Sequence, residues 1–236
     1  MVGLDHAIIK ILGLLMNSSI NNLNSSTESL SYIWLWLGIG LIFAIVGALQ
    51  FLGSDEQARL LKEGGLFETL TVVGYFVCLI LIFVFWTRQR IVAQWYFSSL
   101  IAIFLLRELD YDKIYFTVGL LKARQYTGGS VPLPELLLSI LIVSAILIVL
   151  FLIVTREARG FADGVVAYKL SSLAILMSLI LVFLTKTLDG LPQKLFSLGF
   201  DVTQSFRELA FACEEIGEMG IPIMFAIAII SSRSNS

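Results

Sequence analysis

The sequence predicts an all-α polytopic membrane protein, one bundle of six transmembrane helices preceded by an N-terminal interfacial helix. Three observations predict it. The 236 residues are 58% hydrophobic and only 14% charged, with a mean hydropathy of +0.90, whereas soluble domains are about 45 to 50% apolar and about 25% charged. Charge-free runs long enough to cross most of a hydrocarbon core about 30 Å thick recur along the chain. Between them stand tight clusters of charge and of Gly or Pro, where helices of a bundle turn.

Two regions follow, residues 1–31 and residues 32–236. The first opens with MVGLDHAIIKILGLLM, whose Lys10 interrupts an apolar run too short to span. It reads as an interfacial helix. A signal-like segment is the alternative, although no Ala-x-Ala-type cleavage site follows. Asn17 to Ser29 is a polar loop. The first span, Ile33 to Leu52, begins with Trp34 and Trp36, rings suited to the membrane interface. Its Gly40, Ala44 and Ala48 recur every four residues and predict close approach by another helix. The second span, about Phe67 to Trp86, has Glu68 in its first turn and Arg88 and Arg90 past its end, matching the helix dipole at both termini.

The third span, about Ile91 to Leu106, runs into RELDYDK, and Thr127 to Ser130 with Pro132 and Pro134 punctuate the loop that follows. The fourth, Leu136 to Val154, is closed by Arg156 and Arg159. The fifth, about Val165 to Thr185, gives way to Lys186, Asp189 and a Gly190-Leu191-Pro192 turn, and Leu195 to Gln204 suits the interface. The sixth runs from Arg207 to Ile230. An even number of spans puts both termini on one side, and the short arginine connections at Arg88/Arg90 and Arg156/Arg159 predict that this side is cytoplasmic.

The sixth span carries the chemistry. Glu214, Glu215 and Glu218 interrupt it, and each ionised acid at a bilayer centre would cost about 2.5 to 3.5 kcal/mol without a cation, a shared proton or water. Pro222 cannot donate to the Glu218 carbonyl, so a kink with a freed carbonyl is expected there, loosened by Gly217 and Gly220. Carboxylates beside a free carbonyl suit a hard cation (Na⁺, Ca²⁺ or Mg²⁺) or a shared proton. In an up-and-down bundle one surface also receives Glu63 and Glu68, Arg107, Glu108 and Asp110, Lys186 and Asp189, Glu135, and Arg207 and Glu208. Of these, Glu63, Glu68, Arg107, Glu108, Asp110, Arg207 and Glu208 are the expected supporting cluster. At about 100° per residue, the charges from Arg207 to Glu218 fall on one stripe of the sixth helix.

Several chemistries find no support. His6 is the single histidine and lies outside the bundle, which leaves zinc clusters and His-based triads without ligands. No GxxxxGK[ST] loop occurs, and the net charge of -2, with no basic face, predicts no nucleic-acid partner. Cys78 and Cys213 fall inside apolar segments and read as small hydrophobes. The Glu214-Glu215 pair superficially matches the glutamate motif of intramembrane CAAX-processing proteases, but Met219 stands at its arginine and the histidines of its other motifs are missing.

KEGGLFETLT (Lys62 to Thr71), LRELD (Leu106 to Asp110) and the EExxE of Glu214 to Glu218 resemble the EDGxxEWLT, RELD and EExxE segments of a group of uncharacterised multi-pass bacterial membrane proteins. Gly64 replaces that group's usual aspartate and Thr69 its tryptophan. The resemblance implies a bacterial inner-membrane location and equivalence of Glu63, Glu68, Arg107, Glu108 and Asp110 with its motif positions; it implies no substrate. Three functions are compatible with the residues: a small proton- or cation-coupled carrier with Glu214, Glu215 and Glu218 as ligands; an intramembrane enzyme on a lipid-like substrate, with Arg107 stabilising negative charge; and a non-catalytic subunit or assembly factor with a membrane-protein partner. No residue is assigned a catalytic role.

Overall fold

The computed structural model describes residues 32–62, 64–127 and 131–235, and among them every regular element is helical. The interfacial helix and polar loop expected at residues 1–31, and Glu63 of the supporting cluster, lie outside the described residues. Helix α1 (Tyr32–Leu49) is followed by α2 (Ser54–Leu61), α3 (Leu66–Phe85), α4 (Arg88–Ala93), α5 (Trp95–Glu108), α6 (Tyr111–Tyr115) and α7 (Arg124–Thr127). Then come α8 (Leu133–Val166), α9 (Leu170–Leu188), α10 (Leu191–Ser197) and α11 (Gln204–Ser231). Four segments among the described residues are long and apolar enough to cross a membrane: Tyr32–Leu49, Arg59–Phe85, Leu133–Val166 and Leu170–Leu188.

Local chemistry sets the turns. Gln57 of α2 reaches back and donates to the Leu49 and Leu52 carbonyl oxygens at 2.5 and 3.2 Å, satisfying acceptors at and just past the end of α1. The Glu68 carboxylate accepts from the Gly64 N–H at 2.5 Å, closing the first turn of α3, and Gly64 reaches the φ of +72° that this turn requires at no steric cost. Thr87 caps α4 by accepting from the Arg90 N–H at 3.3 Å. Gln94, at φ -116° and ψ 34°, separates α4 from α5, so the run read as one third span is two helices.

Two other expectations are corrected. The fourth span does not end at Val154: α8 continues through Arg156 and Arg159 for 34 residues to Val166, roughly 51 Å of helix. Arg, Glu and Ala are good helix formers, and the chain turns only at Tyr168, φ +54°. The connection at that end is therefore Ala167 to Lys169, and the fifth helix begins at Leu170. Gly40, Ala44 and Ala48 are exposed and a Cβ on Gly40 would meet nothing. The face of α1 that packs is instead Leu35, Gly38, Ile42 and Leu49.

Helix α11 is the axis of the fold. It packs along α9 most extensively, then along α3, and α1 closes it from a third side through Ile42 against Gly220 and Gly38 against Met224. Pro222 does not break it; α11 runs through as one helix of 28 residues, about 42 Å. The ring seats on Gly74, where a Cβ would come within 2.9 Å of it, and the Pro222 carbonyl accepts from Cys78 Sγ at 3.2 Å. Gly217 and Gly220 serve the same end: a Cβ on either would come within 2.6 Å of Thr185 or Ile42. Small residues on α11 bring three helices close. Outward, Phe43, Phe83, Leu141, Phe151 and Phe183 form the apolar exterior that suits a bilayer.

Candidate functional site

The close approach of Gly217 to Thr185 places the next residue of each helix, Glu218 and Lys186, beside one another. Lys186 Nζ lies 3.6 Å from Glu218 Oε1 and 3.2 Å from Asp189 Oδ2. From the other side, the last turn of α5 brings Arg107 Nη2 to 2.7 Å from the same Glu218 oxygen, while its Nη1 stands 3.5 Å from Glu108 Oε1. Both cations sit at helix C-termini, where the backbone dipole favours positive charge. Glu218 is thus held by charges from two helices that are far apart in sequence. Its side chain is 13% exposed and that of Glu108 only 7%, against 36% for Arg107 and 44% for Lys186. The cations form the rim and the acids lie deeper.

Glu214 and Glu215 are half-buried one turn nearer the surface. Neither makes an ion pair or a hydrogen bond among the described residues. Glu215 stands within electrostatic range of Glu218, Glu214, Glu68 and Glu108, and Glu214 within range of Asp189, Glu218, Lys186 and Arg107. Glu68, Glu108, Asp189, Glu214, Glu215 and Glu218 therefore share one region with Arg107 and Lys186, six carboxyl groups to two cations.

The other expected members lie elsewhere. Arg207 is exposed. Glu208 accepts from Gln204 at 3.0 Å, and Asp110 pairs with Lys113 at 3.0 Å. Glu135 accepts from the Thr117 N–H and hydroxyl at 2.7 and 2.8 Å and from Gln125 Nε2 at 2.8 Å, latching the α6–α7 segment to the head of α8. Lys186, outside the expected supporting cluster, is a direct partner of Glu218, and its position at the end of an apolar run on the acidic surface was the signal for it.

The three acids of α11 do not form a ready-made metal site: among the described residues, no three His, Cys, Asp or Glu side chains converge on a common point that could hold an ion. The central carboxylate is committed to Arg107 and Lys186, which leaves Glu214 and Glu215 to serve any exchangeable charge. No protein-family model, curated protein or solved structure matches the chain.

Proposed function

We propose that this chain is a six-span protein of the bacterial inner membrane that moves protons or small cations, with Glu214 and Glu215 as the exchanging carboxyl groups. Glu218, clamped by Arg107 and Lys186, is the fixed negative charge beside them. The observation that carries this reading is the surplus of carboxyl groups over cations around α11, because acids in a span that have no partner must hold a proton or a cation to remain there. The α4–α5 pair and α11 supply the fifth and sixth crossings beside the four apolar ones. Arg88, Arg90 and Lys169 at helix ends, with Arg156 and Arg159 in the last third of α8, favour a cytoplasmic location for that end and hence for both termini. Cysteines at Gln89 should resist an impermeant thiol reagent in intact cells while cysteines at Lys122 react; the opposite pattern inverts the orientation.

The test is flux in vesicles. Full-length protein reconstituted with a trapped pH-sensitive dye, or with dyes for Na⁺, Ca²⁺ or Mg²⁺, should dissipate the corresponding gradient. Glu215→Gln should slow the flux about a hundredfold, the low end of what loss of a proton-handling group removes, while leaving the melting temperature in detergent unchanged. Vesicles as tight as protein-free ones to all four ions would overturn the reading. Turnover of a lipid-like substrate would then favour the enzyme, and a co-purifying membrane protein the assembly factor.

A further inference from the structure

Two buried polar atoms beside this cluster have no hydrogen-bond partner among the described residues: the Tyr75 hydroxyl, and Glu108 Oε1, which has the ion-pair approach of Arg107 Nη1 at 3.5 Å but accepts no hydrogen bond. Tyr75 sits mid-way along α3, shut off from the surface. Its ring stacks on Phe104 of α5 at 5.7 Å and 9°, and Phe104 packs against Phe225 of α11 at 6.0 Å. Three helices therefore fix where the hydroxyl points. The charges that act on it are Glu108, Arg107 and Glu218 from the two neighbouring helices, with the Cys78 thiol on its own helix. Those facing Glu108 are Glu218, Arg107, Glu68 and Lys186.

Beyond Tyr75 the walls are apolar, with Ile82, Ile101, Leu105 and Ile221, so these two atoms mark the closed inner end of a cluster whose rim is Arg107 and Lys186. A buried hydroxyl and a buried carboxylate oxygen are not left unbonded without cost, and a water with two to four polar partners is the ordinary remedy. The chemistry of the pair is selective. The phenol donates and the carboxylate accepts, so the bridging species must accept from one and donate to the other, as water does. Among the described residues no three His, Cys, Asp or Glu side chains converge to hold a metal ion, and a hard cation takes about six or more oxygens.

We infer that Tyr75 and Glu108 enclose a bound-water site at the inner end of the cluster, and that Glu108 is the group to which this water delivers a proton. The assignment of a proton-receiving role rests on the transport reading above; the water site does not. In the step, a hydronium arriving at the site gives up one proton. One of its O–H bonds breaks, an O–H bond to Glu108 Oε1 forms, and neutral water remains, held by the hydrogen bond that Tyr75 donates. Tyr75 keeps its own proton and acts as a positioning residue.

Infrared difference spectroscopy and proton flux on the same full-length protein in vesicles test this. Glu108→Gln identifies the Glu108 carboxyl band, protonated or ionised, by its loss. Tyr75→Phe, which keeps the stacked ring, should shift that band, abolish an ¹⁸O-water-sensitive O–H band, and reduce flux about tenfold, the worth of one hydrogen bond, at an unchanged melting temperature. If parent vesicles carry no protons yet the bands respond as described, the transport reading fails and the water site stands. If the parent transports but Tyr75→Phe moves neither band nor flux, the water site is overturned. A Tyr75→Phe protein that melts higher with its bands unmoved also overturns it, since the hydroxyl would then be an unbonded burden on the fold.

Discussion

At one end of α11, Arg90 donates to the Ser232 carbonyl oxygen at 3.1 Å and to Gln94 Oε1 at 3.0 Å, and lies 4.2 Å above the Trp86 ring. Toward the other end, Arg107 binds Glu218 at 2.7 Å and approaches Glu108 at 3.5 Å. Both arginines tie an α-helical corner to α11. The partners differ: Arg90 donates to a carbonyl and an amide and lies over a ring, with Glu157 within electrostatic range, whereas Arg107 contacts carboxylates that belong to a surplus. At the first end the two hydrogen bonds of Arg90 to Ser232 and Gln94 go to neutral acceptors. The other is closed with formal charge and has acids left over, which is why function is assigned to that end.

The largest effect should come from removing the charged clasp. Arg107→Met leaves Glu108 and Glu218 with Lys186 alone at 3.6 Å from one of them. Breaking a buried pair from one side costs about 3 to 5 kcal/mol, and the third-exposed guanidinium points to the lower limit of that range. Denaturant unfolding in detergent should show a loss of about 3 kcal/mol, and Arg107→Met combined with Glu218→Gln should recover much of it, because the second change removes the stranded charge. Equal losses in the single and double variants would mean that Arg107 acts by packing, and the contrast between the two ends would disappear.

A smaller effect should follow from disturbing the contact between the two ends. Gly74 seats the Pro222 ring, and an added Cβ would stand 2.9 Å from it; neither the ring nor the backbone of α3 yields easily. Gly74→Ala should therefore destabilise by about 1 to 3 kcal/mol, as overpacking does. Gly40→Ala, with open space around it, should be neutral or stabilise by up to about 1 kcal/mol through helix propensity. Thermal unfolding of the pair measures both, and equal effects would show that α3 and α11 are not in contact there.

Those two glycines also show what was legible in the sequence. The all-α class and the apolar membrane-length helices followed from composition and from the charge-free runs. The side of α1 that packs did not, because Gly40, Ala44 and Ala48 form as regular a stripe as Leu35, Gly38 and Ile42, and only the partner decides between them. Arg207 was placed on the azimuth of Glu218, which the helix respects, since eleven residues return to within about 20°. They are nonetheless about 16 Å apart along the axis, beyond ion-pair reach, and Lys186 is the cation from α9 that stands beside Glu218. The continuation of α8 was hidden because charge marks a membrane boundary without ending a helix. Tyr75 reads as one aromatic among many in an apolar run; its unpartnered hydroxyl becomes visible only when α5 and α11 are set beside it.

The smallest expected effect lies at the neutral end. Arg90 caps α11 by donating to the Ser232 carbonyl, and Trp86 Nε1 donates to the Ser232 hydroxyl at 3.2 Å, so the guanidinium, the indole and the helix terminus form one joint. Arg90→Ala removes a hydrogen bond to a backbone carbonyl, worth about 0.5 to 1.5 kcal/mol, and a cation-over-ring contact worth about 0.5 to 1 kcal/mol where exposed. Water can reach the freed carbonyl at this surface, so no buried charge is stranded and the net loss should be about 1 kcal/mol. The Trp86 emission, read in a background where the other three tryptophans are phenylalanine, should shift as the cation leaves its face, while gradient dissipation by the vesicles stays at the parental rate. If Arg90→Ala instead removed flux as completely as Glu215→Gln, the neutral end would be part of the conducting path, and the division of α11 into a closed end and an exchanging end would be wrong.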